Sequence, residues 1–248
     1  MTRRFGGKVA VVTGAGSGVG REVARRLHAE GAQLVVSDIS GHEADAADEL
    51  RGAVAVRADV ARPDEIRAVV ERAVAEFGGL DVLSNNAGID GQLGPVETCS
   101  EENFDRVVAV NLKGVFFGMQ AAIPYLRARG GGAIVNIAST AALVGMPLLG
   151  AYCASKGGVV QATRAAAIEC AKDRIRVNAV CPGAIDTPLL RKIDETHPEA
   201  VAAAEQMTPL GRRAHPKEIA AVAAFLASDD ASFVTGTIMA ADGGMTSL

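Results

Sequence analysis

The feature that most constrains this chain is an alternation of two kinds of segment. Short runs rich in β-branched and apolar residues recur along it: KVAVVT, QLVVSD, AVAVRAD, LDVLSNN, GAIVNIAS, IRVNAVCP and GTIMAAD. Between them lie stretches of helical period, namely GREVARRLHAEG, GHEADAADELRG, PDEIRAVVERAVAEFG, SEENFDRVVAVNLKGVFFGMQAAIPYLRARG, AYCASKGGVVQATRAAAIECAKD and HPKEIAAVAAFLASDD. Strands that are apolar almost without interruption are buried on both faces, as in a parallel sheet covered by helices. Strand and helix repeated in this order predict an α/β fold, doubly wound, with a seven-stranded parallel sheet flanked by helices on both faces. No Pro/Ser-rich linker, charge block or internal repeat divides the 248 residues, so one domain over 1–248 is expected.

One segment breaks the rhythm. PLLRKIDETHPEAVAAAEQMTP, from Pro188 to Pro209, reads as a small helical insertion before the last helix–strand unit. Connections beyond the carboxyl ends of parallel strands are where such sheets bind ligands. A substrate lid at about 188–209 is therefore expected, although a plain surface helix pair would show the same pattern.

Composition removes several function classes. A formal charge of −4 and a pI near 5.6 leave no basic footprint for nucleic acid. No apolar run reaches the roughly 18 residues of a spanning helix, and the opening MTRRFGGKVAVVTGAG runs straight into a strand rather than reading as a secretory leader. Cys99, Cys153, Cys170 and Cys181 stand apart, as reduced thiols of a cytoplasmic protein would. His28, His42, His197 and His215 are equally scattered, so no metal site is expected.

TGAGSGVG, Thr13 to Gly20, closes the first strand and opens the first helix. In that context glycines serve a dinucleotide: Gly14 permits the tight turn, Gly18 lets the backbone approach a pyrophosphate, and Gly20 lets helix meet strand. Ser17 and Val19 complete the turn, and the helix N-terminus offers free amides and positive dipole to the phosphates. The spacing is GxxxGxG, because Val19 occupies the last place of a strict GxGxxG, and a plain structural turn uses glycines in the same way. Asp38 is more specific. It ends the second strand about twenty residues later, followed by Ile39, where a carboxylate accepts from the ribose hydroxyls of adenosine and repels a 2′-phosphate. That favours NAD over NADP in a Rossmann domain, against the plainer reading of a turn or cap aspartate and with Arg21 as a competing cation.

YCASK raises a separate question. Tyr152 and Lys156 lie one helical turn apart and so share a face. A phenol beside an ammonium is either a packing accident or an acid/base device. Taken with TGAGSGVG, the ADV at Asp59 and Val60, NNAG at Asn85 to Gly88, VNLKG with Asn111, IAS with Ser139 and PGAIDT at Pro182 to Thr187, the chain resembles the short-chain dehydrogenase/reductase family along essentially its whole length.

The resemblance implies that Asp59 and Val60 border the adenine, that Asn86, Ala87 and Gly88 line the cofactor, and that Pro182, Gly183, Ile185 and Thr187 hold the nicotinamide end. It also implies that Tyr152 is the general acid/base, and that Lys156 binds the nicotinamide ribose. Asn111 would interrupt its helix and anchor a water in a proton relay. Chemistry agrees on the tyrosine: a free phenol, with a pKa of about 10, is a poor base at neutral pH, and a nearby ammonium with oxidised nicotinamide would favour the phenolate. Ser139 at the end of the fifth strand can donate to the substrate oxygen. Each piece has a plainer reading too: Asp59 as a helix cap, NNAG and CPG as turns, Ser139 as a strand end. Tyr125, without a basic partner, reads as packing.

A pocket wall of Leu143, Val144 and Met146 after the serine, with Leu189, Leu190 and Ile193 from the insertion, would suit a neutral, apolar secondary alcohol or ketone, alicyclic or steroid-like. Two alternatives stand: a 3-oxoacyl carrier-protein reductase using NADPH, which Ser17 and Asp38 oppose, and a non-catalytic NAD-sensing protein, which would have no need of the Ser139, Tyr152 and Lys156 set. The family also implies a homotetramer, paired through the long helices that carry Asn111 and Tyr152.

Overall fold

The computed structural model describes residues 3–247; of the expected N-terminal run into the first strand, Met1 and Thr2 lie outside the described residues. Seven strands form one parallel sheet: β1 (Val9–Thr13), β2 (Gln33–Asp38), β3 (Val54–Arg57), β4 (Val82–Asn85), β5 (Gly132–Ile137), β6 (Ile175–Pro182) and β7 (Ile238–Ala241). Their order is β3-β2-β1-β4-β5-β6-β7, with Val11 of β1 paired to Val35 on one side and to Leu83 on the other. The chain therefore winds outward one way from β1 and the other way from β4. Such a reversal opens a crevice at the carboxyl ends of these two strands.

Side-chain alternation divides each strand between two cores. Val9, Val11, Leu83, Ile134 and Val177 join one cluster, while their neighbours Ala10, Val12, Val82, Val135 and Val180 join the other. This is the arrangement that makes the strands read as unbroken apolar runs. The first core is roofed by α3 (Pro63–Phe77), α5 (Gly114–Arg129) and α6 (Gly150–Cys170), and the second by α1 (Gly18–Ala29) and α9 (Pro216–Ala227), which pack together. α2 (His42–Glu49) covers the β2–β3 edge. Tyr125 packs against the first core.

The long helix expected over residues 100–130 is three pieces. α4 (Glu101–Val108) passes through a single π-helical turn, Ala109–Lys113, into α5. The extra residue of a π turn rotates the side chains that follow it, and Asn111, fully buried, sits at its centre. The run Glu101–Arg129 is also long and apolar enough, by length and composition alone, to cross a membrane, a correction to the expectation that no such stretch exists. Its polar residues break the apolar run in sequence, but the helix is continuous; 39% of its most apolar stretch is buried within the fold.

The insertion before the last unit is α7 (Pro188–Thr196) followed by α8 (Pro198–Gln206). Thr187 caps α7 by accepting from the Leu190 amide at 3.3 Å, and Pro188 occupies the first turn, where its missing N–H costs nothing. The side chains of residues 200, 201, 203 and 204 within the expected lid lie outside the described residues.

Candidate active site

A cleft of about 590 Å³ lies along the carboxyl ends of the strands. Gly14, Ser17, Gly18, Val19 and Gly20 form one end of its wall, with Asp38 and Ile39 beside them. Asp59, Val60, Asn86, Ala87 and Gly88 line its middle, and Ser139, Tyr152, Lys156, Pro182, Gly183, Ile185 and Thr187 its far end. Every residue expected to hold a dinucleotide thus borders one cavity. Arg106, on the exposed side of α4, joins the middle wall; nothing in its charged helical context marks it in the sequence.

The glycine turn is shaped by close approach. Gly14 has φ +64°, and a Cβ there would stand 2.7 Å from the Ala87 nitrogen, so the turn and the NNAG loop touch backbone to backbone. Thr13 Oγ1 fixes the same junction by accepting from the amides of Asn86 at 3.1 Å and Ala87 at 3.4 Å. α1 begins at Gly18 with no acidic residue in its first turn, leaving its N-terminal amides and dipole facing the cleft uncompensated.

Asp38 accepts from the Gly16 amide at 3.0 Å and from the Ser40 amide at 2.9 Å. Arg21, the cation that competes with it in the sequence, is held elsewhere: it pairs with Glu49 at 2.5 Å and donates to the Gly16 carbonyl at 3.3 Å. Asn86 Oδ1 is buried without a partner among the described residues, an acceptor awaiting a donor. Asp59 accepts from Ala61 at 2.9 Å, so it serves its local turn while bordering the cleft. Free amides, a carboxylate and an orphan acceptor at these places suit a dinucleotide.

At the other end α6 presents Tyr152 and Lys156 on one face. Lys156 is buried; its Nζ donates to the Ile137 carbonyl at 2.9 Å and stands 5.7 Å from the centre of the Tyr152 ring. Ser139 Oγ accepts from the Ala141 amide at 3.2 Å and lies close enough to Tyr152 to ease its ionisation. Asn111 stands behind Gly88. Its Oδ1 accepts from the Ile89 amide at 2.8 Å, and its Nδ2 donates to the Ile89 carbonyl at 2.8 Å and to Ser155 Oγ at 3.2 Å.

Electrostatics at this end depart from expectation. Burial pushes the Tyr152 phenol well above its ordinary range, a nearby carboxylate, Asp90, adds to the rise, and Ser139 only partly opposes them. Burial pushes the Lys156 ammonium down to about 8, against the pull of Asp90. The lysine is turned toward Ile137, so the protein alone does not hold a phenolate ready.

The expected substrate wall assembles only in part. Leu189 lines the cleft, but Leu143 and Val144 are exposed, and neither they nor Met146, Leu190 and Ile193 line it. Beside Tyr152 a second cavity of about 440 Å³ opens instead, walled by Val96, Phe104, Leu148 and Leu149, with Asp90 and Gln92 in it. Apart from Phe104 on α4, these residues lie in the segment after NNAG and just ahead of α6. Their signal in the sequence was weak, a loop rich in glycine; the left-handed backbone of Leu148, φ +66°, is visible only in the fold.

Comparison with known proteins places the chain. Residues 14–246 match the family model described as "Enoyl-(Acyl carrier protein) reductase". The chain is 45% identical to a cyclohexanol dehydrogenase of Acinetobacter sp. (strain SE19), over 100% of this chain and 98% of that protein. It is 44% identical to a cis-4-hydroxycyclohexanecarboxylate dehydrogenase of Sinomonas cyclohexanicum, over the full length of both. A crystal structure of levodione reductase superposes with a TM-score of 0.93 at 38% identity, covering 98% of this chain and 99% of that one. With the doubly wound sheet, the glycine turn and the Tyr152–Lys156 pair in one cleft, these full-length likenesses show that the chain belongs to the short-chain dehydrogenase/reductase family, whose enzymes use nicotinamide cofactors.

Proposed function

We propose that the protein is an NAD-dependent dehydrogenase of neutral alicyclic secondary alcohols, acting reversibly on the corresponding ketones. One observation carries the reading: Ser139, Tyr152 and Lys156 converge at the carboxyl edge of the sheet where the dinucleotide cleft meets a mainly apolar cavity. The names of relatives with ring substrates, cyclohexanol among them, support the substrate class.

Asp38, with both oxygens directed by backbone amides and no free arginine at Arg21, favours the unphosphorylated ribose of NAD. A nicotinamide held there would supply the hydride acceptor or donor. The chain does the rest. Tyr152 takes the hydroxyl proton on oxidation and gives it back on reduction, and Ser139 donates to the substrate oxygen as charge gathers on it. Lys156 holds the nicotinamide ribose and supplies positive charge near the phenol, and Asn111 anchors the far end of a water relay. Burial opposes ionisation of Tyr152 and Ser139 only partly eases it, so the positive charge that an oxidised nicotinamide would bring is help the chain itself does not supply.

The insertion at about 188–209, whose Leu189 already borders the cleft, acts as the substrate lid of a single domain spanning residues 1–248. Exposed Phe116 on α5 and Ile168 on α6 support pairing of subunits through these helices, in the homotetramer that the family implies, and the free cysteines suit a cytoplasmic protein. Likeness to a 3-oxoacyl carrier-protein reductase supports a second reading, NADPH-dependent reduction of the 3-keto group of an acyl-carrier-protein thioester.

Absorbance of reduced nicotinamide, followed with both cofactors, tests the choice. Cyclic, linear and steroidal alcohols are assayed for oxidation and acetoacetyl thioesters for reduction. NAD-linked oxidation of cyclohexanol-type alcohols is the expected result; activity confined to the thioester with NADPH would replace this reading by the second.

A further inference from the structure

Two buried asparagines grip one loop of the substrate cavity from either end. Asn111 pairs with both the amide and the carbonyl of Ile89, each at 2.8 Å. Asn103, on α4, does the same to Gln92: its Oδ1 accepts from the amide at 2.8 Å and its Nδ2 donates to the carbonyl at 3.3 Å. Between them Gly91 takes φ +78°, and a Cβ there would collide with Val107 Cγ2 and with Asn103. The remaining residue of the gripped stretch is Asp90. A side chain on backbone fixed at both ends is presented in one place, which is the requirement for selective recognition.

Asp90 borders the 440 Å³ cavity together with Tyr152, across from Leu148 and Leu149. The opposite wall is tied to the same loop, because Gly94 donates to the Leu148 carbonyl at 3.0 Å. No group among the described residues hydrogen-bonds the Asp90 carboxylate, while burial pushes its pKa up to about 6 and Lys156 only partly restrains it. A desolvated carboxylate without a protein donor gains most from a ligand that brings one.

The geometry assigns Asp90 as a specificity-determining residue that accepts a hydrogen bond from a second hydroxyl on the substrate ring, so that the preferred substrate is a cyclic diol or hydroxy-ketone. This rests on the alicyclic reading above and sharpens it. An apolar wall alone cannot distinguish cyclohexanol from its hydroxylated analogues strongly, whereas a site built around a buried acceptor disfavours a ligand that leaves that acceptor unpaired. The same carboxylate repels a ring that carries a carboxylate of its own.

The test compares kcat/KM with NAD for cyclohexanol, the 1,3- and 1,4-cyclohexanediols and 4-hydroxycyclohexanecarboxylate, in the wild type, Asp90→Ala and Asp90→Asn. Wild type is expected to prefer a diol to cyclohexanol. Asp90→Ala should lower the diol-to-cyclohexanol ratio of kcat/KM by about tenfold or more, the scale of a hydrogen bond to a charged group, the ratio cancelling the change that loss of this carboxylate makes at Tyr152 and Lys156 for every substrate, and the ring acid should improve relative to cyclohexanol. Asp90→Asn, which keeps an acceptor without the charge, should retain part of the diol preference. An active enzyme whose diol-to-cyclohexanol ratio is the same in all three proteins overturns the assignment of Asp90 and leaves the alicyclic reading standing. Absence of turnover on every ring alcohol in the wild type removes both.

Discussion

Lys156 Nζ donates to the Ile137 carbonyl at 2.9 Å while standing 5.7 Å from the centre of the Tyr152 ring. The lysine is thus anchored to the end of β5, one residue before the Ala138–Ser139 segment, and Tyr152 borders both the cleft and the second cavity. In the proposed reaction Tyr152 exchanges the proton with substrate. Tyr152→Phe keeps the ring and its packing, so NADH affinity, read by fluorescence titration, should change by no more than about threefold, and turnover should fall by about 10²–10⁴-fold, the usual worth of general acid/base catalysis. Turnover near wild type would remove Tyr152 from the chemistry.

Asp38→Ala removes the acceptor at the adenosine end together with its bonds to Gly16 and Ser40. NAD should bind more weakly, and the preference for NAD over NADP, as the ratio of kcat/KM values, should fall by about tenfold or more, since one charge-assisted hydrogen bond is worth about 1.5–3 kcal/mol. An unchanged ratio would mean that discrimination resides elsewhere, with Arg57 the residue to examine next, because its Nε donates to the Ile39 carbonyl at 3.1 Å beside this site.

Asp90 also makes a prediction about stability. Its pKa is about 6 in the folded chain and about 3.9 in an unfolded one. Between those values the native state holds more protons than the unfolded state, so stability falls as pH rises from about 4 to 6, and the loss is complete above 6. Two units correspond to about 3 kcal/mol at most. Asp90→Asn should therefore melt higher than wild type at pH 7.5, by about 1–3 kcal/mol in unfolding free energy, and match it at pH 4. Equal melting at both values would show that the carboxylate is not desolvated.

The sheet was legible because burial on both faces writes each strand as an apolar run, and Asp38, Tyr152 and Lys156 were legible because a helix turn or strand end fixes where they point. The substrate cavity was not. Leu143 and Val144 follow the serine and look like a wall, yet they line neither cavity, while Leu148 borders the second one through a left-handed backbone that leucine rarely adopts. Asp90 reads as an ordinary loop acid ahead of a glycine. Its meaning comes from Asn103 and Asn111, residues at thirteen and twenty-one positions' remove whose contacts only the folded chain brings together. Asn111 stood out through the family resemblance, but Asn103, within a charged helix start, gave no such sign.

The two asparagine grips should separate by mutation. Asn103→Ala frees Gln92 at the end of the loop remote from Lys156, removing two part-buried hydrogen bonds worth about 1–3 kcal/mol together. If that loosening matters chiefly through Asp90, the diol-to-cyclohexanol ratio should collapse toward that of Asp90→Ala while cyclohexanol turnover stays within about threefold of wild type. Asn111→Ala frees Ile89 as well as Ser155, immediately behind Gly88, where a Cβ would stand 3.4 Å from Lys156 Nζ. That change reaches the catalytic lysine, so turnover of both substrates should fall together. Thermal melting of each variant, measured beside the kinetics, distinguishes a loosened loop from a failed fold. A uniform loss in Asn103→Ala with the ratio preserved would show that this grip supports the fold and not the selection of substrate.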